Sequence, residues 1–357
     1  MEENRAYRVG VLGAGTWGTA LARMLDRSGK QVVMWSALPA EVRQLTKTRR
    51  HPNLPDMIIP DDIRITGSIE EACTGADMLL FAVPSPFVRQ TAAAASPFIC
   101  KDMVIADAAK GIEPQTLLTM TCVIADELKQ HDPERKVRLV ALSGPTHAEE
   151  VAQDLPTTIV SASLDREAAE LAQDVFMNTC MRVYTNEDVL GVELCGALKN
   201  IIALASGIAC GLGFGDNAKA AIITRGLAEI RRLGMRMGCR EQTFSGLAGV
   251  GDLIVTATSR HSRNNRAGEL IGRGASAEEA KKEVGMVVEG INALPAAMEL
   301  SRRFNVEMPI TFAVNDVISG RKTAKLAVRE LMERDRRDEN AGGYHLSSES
   351  ALLDGRI

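Results

Sequence analysis

The sequence predicts an α/β domain of the Rossmann type, with a mostly parallel sheet, followed by an all-α domain. In the first half, short apolar runs alternate with helical segments, which is typical of a parallel sheet covered on both faces. A Gly-x-Gly-x-x-Gly motif follows the first of these runs. After about residue 188 the strand signals stop, and the remaining segments carry apolar residues at helical spacing.

The length of 357 residues agrees with two domains of ordinary size. The predicted strands of the first domain are short apolar runs, most of them bounded by turn residues. They lie at 8–13, 31–35, 63–66, 78–83, 103–106, 137–142, 158–163 and 181–185. The helices predicted between them lie at 19–27, 70–74, 114–129 and 166–176.

The second half is predicted to be helical throughout. Its clearest segment is 189–211, where Leu194, Leu198 and Ile201 fall on one helix face. Further helices are predicted at 218–238, 264–273, 276–283, 292–304, 309–319 and 323–332. We therefore predict a sheet domain at 1–188, a helical domain at 189–333 and a flexible polar tail at 334–357.

Composition narrows the class of protein. Hydrophobic residues at 45% and charged residues at 25% are ordinary for a globular chain. The net charge of −4 lacks the basic excess of nucleic-acid binders. The N-terminus lacks the apolar core of a signal peptide, and the longest uncharged helical stretch, 200–215, is shorter than the roughly 20 residues a membrane span needs. We expect a cytoplasmic protein with no membrane span and no nucleic-acid partner.

The metal-binding residue types show no clustering. Seven cysteines without a Cys-x-x-Cys pair, and five scattered histidines, predict no metal site.

The glycine motif predicts a dinucleotide site. Gly13, Gly15 and Gly18 follow a predicted strand and open a helix, which is the context this motif requires. Glycines permit a tight turn, and a helix N-terminus offers free N–H groups to a pyrophosphate. A glycine-rich turn that binds no ligand is the alternative.

The residues at the end of the second predicted strand help to distinguish an NAD site from an NADP site. Residues 33–38 contain no carboxylate, although an acid there would bind the adenosine ribose of NAD. Its absence permits NADP. Four basic residues downstream could either reach a 2′-phosphate or form a solvated helix face: Arg43, Lys47, Arg49 and Arg50.

Two lysines occupy positions at which ligand binding or catalysis is expected. Lys110 follows the strand at 103–106, and segment 143–146 follows the strand at 137–142, so both lie at the sheet edge where ligands bind. Lys199 interrupts an apolar helix, which is costly unless the charge is paired or used. The alternative is that its stem reaches out to the surface.

Polar groups in the second half extend this set. Asp252 ends a glycine-rich loop, and Ser262, Arg263 and Asn264 begin a helix. Such a helix start suits an anion or a phosphate. An ordinary helix cap with a surface arginine is the alternative.

At these residues the sequence resembles the bacterial-type NAD(P)-dependent glycerol-3-phosphate dehydrogenases. The shared segments occur in family order between residues 8 and 330. They are GAGTWGTALA at 13–22, LPDMIIPDDI at 54–63, AKGIE at 109–113, SGPTHAEEVA at 143–152, GALKNIIALASGI at 196–208, GLAGVGDLIVTATS at 246–259, SRNNRAG at 262–268 and VVEG at 287–290.

The resemblance implies reversible reduction of dihydroxyacetone phosphate to sn-glycerol 3-phosphate with NADPH or NADH, which supplies phospholipid synthesis. It implies that Lys199 is catalytic. It places further substrate contacts at Lys110, Gly144, Thr146, Asp252, Ser262, Arg263 and Asn264. It places cofactor contacts at Thr16, Trp17, Lys110, Ala148, Arg263, Val287 and Glu289, beside Gly13, Gly15 and Gly18 of the motif. The chain departs from the family pattern at His147, commonly a large aromatic, and at Ser36-Ala37, where a basic or polar residue is frequent.

A hydride reduction needs a group that protonates the carbonyl oxygen, and Lys199 is the candidate. Asp252 would either orient Lys199 or contact the substrate. Two other hypotheses about function remain: a related hydroxyacid dehydrogenase, and a dinucleotide-binding sensor without catalysis. A homodimer is compatible with each of them.

Overall fold

Eight strands form one sheet in the computed structural model, which describes residues 6–336 and 338–339. They are β1 (Arg8–Leu12), β2 (Gln31–Trp35), β3 (Arg64–Thr66), β4 (Met78–Phe81), β5 (Val104–Asp107), β6 (Arg138–Ser143), β7 (Thr157–Ala162) and β8 (Met181–Asn186). Their order across the sheet is β3-β2-β1-β4-β5-β6-β7-β8. Neighbouring strands are parallel except β6 and β7, which pair antiparallel. The predicted fold class is confirmed.

Helices cover both faces of this sheet. They are α1 (Thr16–Arg27), α2 (Pro39–Thr48), α3 (Ile69–Cys73), α4 (Val88–Ala95), α5 (Met120–His131), α6 (Ala148–Val151) and α7 (Arg166–Phe176). One buried cluster packs α1 and α7 on one face, and another packs α3, α4 and α5 on the opposite face. The inner strands β1, β4 and β5 are buried on both sides, which explains their continuous apolar sequences.

Helix α5 begins six residues later than the sequence predicts. Residues 113–118 form a turn instead, in which Glu113 N–H donates to the carbonyl of Leu118 at 2.9 Å. Leu117 has a φ of 61°, a conformation that no helix interior accepts. The Glu113 carboxylate is held by Arg89 of α4 at 2.7 Å. Tertiary pairing therefore overrides the local helical pattern.

The second half is helical in the described residues. Its helices are α8 (Val189–Gly211), α9 (Asp216–Arg236), α10 (Glu241–Phe244), α11 (Asp252–Thr258), α12 (Arg263–Gly272), α13 (Ala277–Val284), α14 (Glu289–Arg303), α15 (Pro309–Ile318) and α16 (Ala324–Met332). A π-helical turn over Leu247–Gly251 leads into α11.

Helix α8 is the centre of this half, with α9, α11, α12 and α14 packed around it. Glycines let α12 approach closely: a Cβ on Gly207 would lie 2.1 Å from the Asn265 carbonyl, and one on Gly268 would lie 2.2 Å from the Leu204 carbonyl. By length and composition α8 could cross a membrane, but 89% of its most apolar stretch is buried inside the protein. It is the core helix of this half.

Most of the predicted tail at 334–357 lies outside the described residues. Two contacts mark its beginning: Arg334 pairs with Glu307 at 3.2 Å, and Arg225 donates to the Glu339 carbonyl at 3.2 Å.

Candidate active site

The site lies at the carboxyl edge of the sheet, between the ends of β1 and β4. Strand order reverses there, because the chain moves from β1 to β2 and β3 on one side and returns to β4 on the other. Ligands of open α/β sheets bind in the crevice at such a point. A cleft of about 430 Å³ runs from there to α8 and α12.

The glycine loop between β1 and α1 forms one wall of this cleft. Gly18 packs so closely on the loop that a Cβ there would lie 1.9 Å from the Gly13 carbonyl oxygen. A Cβ on Gly15 would meet no atom within 4 Å, so that side is open to a ligand. No side chain caps the start of α1, and its first turn holds no acid. Its N–H groups and positive dipole end therefore suit a pyrophosphate.

Lys199, Lys110 and Asp252 meet at the other end of the cleft. Asp252, at the start of α11, is fully buried, and its Oδ2 accepts a hydrogen bond from Lys110 at 2.7 Å. Its Oδ1 accepts from Lys199 on α8. Lys199 Nζ also donates to the Thr256 hydroxyl at 2.6 Å, and Lys110 donates to the Gly144 carbonyl at 3.2 Å. Both ammonium groups are thus held by one carboxylate.

Burial and these ion pairs determine the protonation states of Lys199 and Asp252. Burial lowers the pKa of Lys199, Asp252 opposes that shift, and Lys110 adds to it, so that the pKa is about 7. Burial alone would raise the pKa of Asp252, but the ammonium groups of Lys110 and Lys199 hold it below its usual range. Asp252 is therefore ionised at neutral pH, while Lys199 can gain or lose a proton there.

The start of α12 brings a second polar group to the cleft. Ser262 caps the helix by accepting the N–H of Asn265 at 3.2 Å, and Arg263 is exposed at the first helical position. Asn264 donates to Asn200 of α8 at 2.9 Å and accepts the Gly290 N–H at 2.8 Å. Asn264 therefore fixes α12 against α8 and α14.

Glu289, at the start of α14, joins the two halves of the chain. Its carboxylate accepts the Ser85 N–H at 3.0 Å and the Ser85 hydroxyl at 2.7 Å. Ser85 follows β4, so this contact lies beside the dinucleotide end of the cleft. Val287 precedes the helix and lines the same wall.

The cleft brings together most residues that the sequence and the resemblance single out. Those that line it are Gly15, Thr16, Trp17, Lys110, Thr146, Ala148, Lys199, Ser262, Arg263, Asn264, Val287 and Glu289. Gly13, Gly18, Gly144 and Asp252 lie behind its surface and act on it through the contacts described above.

Other lining residues were not predicted. Thr256 lies four residues after Asp252, a helical spacing that could have revealed it. His51 and Asn53 come from the irregular segment after α2, which has no periodic pattern of apolar residues. His147 also lines the cleft, and its Nε2 is buried with no hydrogen-bond partner among the described residues.

A doubly wound sheet with a dinucleotide loop that faces a buried lysine is typical of nicotinamide-dependent dehydrogenases. The family models for the N-terminus and C-terminus of NAD-dependent glycerol-3-phosphate dehydrogenase match residues 8–169 and 188–329. This chain belongs to that family.

Individual relatives agree along nearly the whole chain. An NAD(P)-dependent glycerol-3-phosphate dehydrogenase of Lactobacillus delbrueckii subsp. bulgaricus is 64% identical, over 93% of this chain and 98% of its own length. A Bacillus subtilis enzyme of the same name is 47% identical, over 93% and 96%. A crystal structure of the Coxiella burnetii glycerol-3-phosphate dehydrogenase superposes with a TM-score of 0.87 at 36% identity, over 92% of this chain and 99% of that one.

Proposed function

We propose that this chain reduces dihydroxyacetone phosphate to sn-glycerol 3-phosphate with NADH or NADPH, and that it runs the reverse reaction. The observation that carries the proposal is the buried Lys199, held at the end of a cleft that begins at the dinucleotide loop. The product would feed glycerophospholipid synthesis in the cytoplasm. The proposed domains are 1–188 for the dinucleotide and 189–333 for the substrate, and a homodimer is the assembly we would test first.

The residues at the dinucleotide end fit the cofactor. The open side of Gly15 and the uncapped start of α1 would hold the pyrophosphate. Thr16, Trp17, Ala148, Val287 and Glu289 would contact the remainder. The bound nicotinamide supplies the hydride.

Lys199 would act as the general acid. Lys199 lines the cleft, and its Nζ would donate a proton to the carbonyl oxygen that becomes the product hydroxyl. In the reverse direction its neutral form would accept that proton. Lys110 would stabilise negative charge that develops on the same oxygen.

Asp252 would orient Lys199 rather than bind the substrate. Both of its oxygens are hydrogen-bonded to lysines and the residue has no exposed surface. These contacts support the first of the two roles that the sequence leaves open.

We expect the two reaction directions to depend on pH in opposite ways. Reduction needs protonated Lys199, whose pKa is about 7 because burial lowers it. The kcat/KM for dihydroxyacetone phosphate should therefore fall as pH rises through about 7, whereas that for glycerol 3-phosphate should rise. Initial rates in both directions check this, and profiles that change in the same sense would contradict it.

Arg263 should select for the substrate phosphate. We propose that the start of α12 binds the phosphate dianion through Ser262 and Arg263, by charge-assisted hydrogen bonds worth about 1.5–3 kcal/mol each. Arg263→Ala should therefore reduce kcat/KM for dihydroxyacetone phosphate by at least about 10-fold. Unphosphorylated dihydroxyacetone should be affected much less. The comparison is made at saturating cofactor, and equal losses for both substrates would place the phosphate elsewhere.

A turnover assay tests the proposed function itself. Purified protein is mixed with dihydroxyacetone phosphate and each reduced cofactor, and the product is identified by its stereochemistry. Steady cofactor oxidation that yields sn-glycerol 3-phosphate is expected. Turnover of 2-keto acids instead would favour a hydroxyacid dehydrogenase, and cofactor binding without any turnover would favour a sensor.

A further inference from the structure

The carboxylate that is missing from the end of β2 is supplied by the next helix. Ser36 directly follows β2, and its hydroxyl donates a hydrogen bond to Oε2 of Glu41. The same hydroxyl oxygen accepts the N–H of Leu38 at 3.1 Å, which fixes the turn between β2 and α2. Glu41 lies in the first turn of α2, where the helix dipole favours a negative charge.

Glu41 faces the dinucleotide half of the cleft. It lines the cleft together with Gly15 and Thr16 at the start of α1. In this fold the adenosine ribose lies between the glycine loop and the end of the second strand, where an acid binds its 2′-hydroxyl. Among the described residues only Ser36 hydrogen-bonds Glu41, through Oε2, so Oε1 is available to a ribose hydroxyl.

The basic residues nearby form no ion pair with Glu41 in the described part of the chain, where Ser36 holds its carboxylate. None of the four that follow β2 lines the cleft: Arg43, Lys47, Arg49 and Arg50. Arg49 donates to the Ile63 carbonyl at 2.9 Å, and Arg50 donates to the Pro55 carbonyl at 2.6 Å. Both therefore fix the loop that follows α2.

His51 lines this end of the cleft but does not provide a cation either. Burial lowers its pKa more than the nearby Glu41 raises it. Its Nδ1 accepts the N–H of Asn53 at 3.1 Å, which is the bond of a neutral ring. A 2′-phosphate would thus meet a carboxylate and a neutral imidazole.

We propose that Glu41 determines cofactor preference, by accepting a hydrogen bond from the adenosine ribose of NADH and by repelling the 2′-phosphate of NADPH. The chain therefore uses NADH in preference to NADPH. This inference rests on the proposed function, whose cofactor it narrows. It also replaces the expectation that residues 33–38 leave NADPH free to bind, since the carboxylate comes from a position outside the strand.

The test compares kcat/KM for NADH and NADPH in the wild-type protein and in Glu41→Gln. The wild type should prefer NADH by at least about 10-fold, equivalent to about 1.4 kcal/mol. Glu41→Gln keeps the size of the side chain and removes its charge, so it should reduce that preference by at least about 10-fold. Equal use of the two cofactors by the wild type, or an unchanged preference in Glu41→Gln, would overturn the proposal.

Two further variants serve as controls. Glu149→Gln removes another carboxylate that lines the cleft, on α6 beside His147, and should keep the wild-type preference. Arg43→Ala should also keep it. A selective loss of NADPH use in Arg43→Ala, as large as the change in Glu41→Gln, would make Arg43 the determinant and would overturn the proposal.

Direct binding separates this inference from the proposed reaction. The Kd of each reduced cofactor is measured by fluorescence titration without substrate. Tighter binding of NADH that Glu41→Gln abolishes would support the inference even if dihydroxyacetone phosphate were not reduced. Indistinguishable Kd values in the wild type would overturn it even if the reaction were confirmed.

Discussion

Lys199→Ala should lower the turnover of dihydroxyacetone phosphate by at least about 100-fold, the contribution expected of a positioned general acid. Lys199 lies on α8 at the end of the cleft, and its ammonium group is held by Asp252 and Thr256. Cofactor affinity should change little, because the glycine loop lies at the opposite end. Steady-state kinetics and a cofactor titration on the same preparation measure both effects.

A control variant and a rescue experiment show whether the loss of turnover in Lys199→Ala comes from the missing proton donor. Lys282→Ala removes an exposed lysine on α13 and should leave turnover unchanged. A small primary amine added to Lys199→Ala should restore part of the rate if the missing group is a proton donor. Turnover within a few-fold of wild type in Lys199→Ala would end the assignment of this residue as the acid.

Asp252→Asn should destabilise the protein and alter the pH profile together. The substitution leaves the buried ammonium of Lys199 and the partly buried one of Lys110 without their counterion. Removing one partner of a buried ion pair costs about 3–5 kcal/mol. The free energy of unfolding from denaturant titration should fall by a comparable amount at neutral pH. Asp216→Asn is the control, because that carboxylate is almost fully exposed and pairs only with Lys219 among the described residues.

The same substitution distinguishes orientation from simple structural support. Asp252 raises the pKa of Lys199, so its removal should move the pH at which reduction declines to a lower value. A destabilised variant that keeps the wild-type pH midpoint would show that Asp252 does not act through Lys199.

The sequence alone predicted those parts of the site whose structure depends on residues close together in the chain. The glycine loop was predictable because its strand, turn and helix are contiguous. Lys199 was predictable because a charge inside an apolar helix demands a partner or a function. Helix α12 was predictable because Ser262 precedes it at the capping position.

Features that depend on tertiary pairing were not predictable. Strand β7 runs antiparallel to β6, and a short apolar run does not indicate in which direction its strand will pair. Glu41 reaches the end of β2 only because Ser36 holds it across a turn. The bond between Glu289 and Ser85 joins residues 204 positions apart, beyond any periodic pattern.

The most direct test of the account is a crystal structure of the protein with oxidised cofactor and sn-glycerol 3-phosphate bound. The C2 hydroxyl oxygen should lie within hydrogen-bond distance of Lys199 Nζ, about 2.6–3.2 Å, and the phosphate should lie at the start of α12. The pyrophosphate should lie against the start of α1. A substrate bound with its C2 oxygen remote from Lys199, and that oxygen contacting another proton donor, would contradict the account.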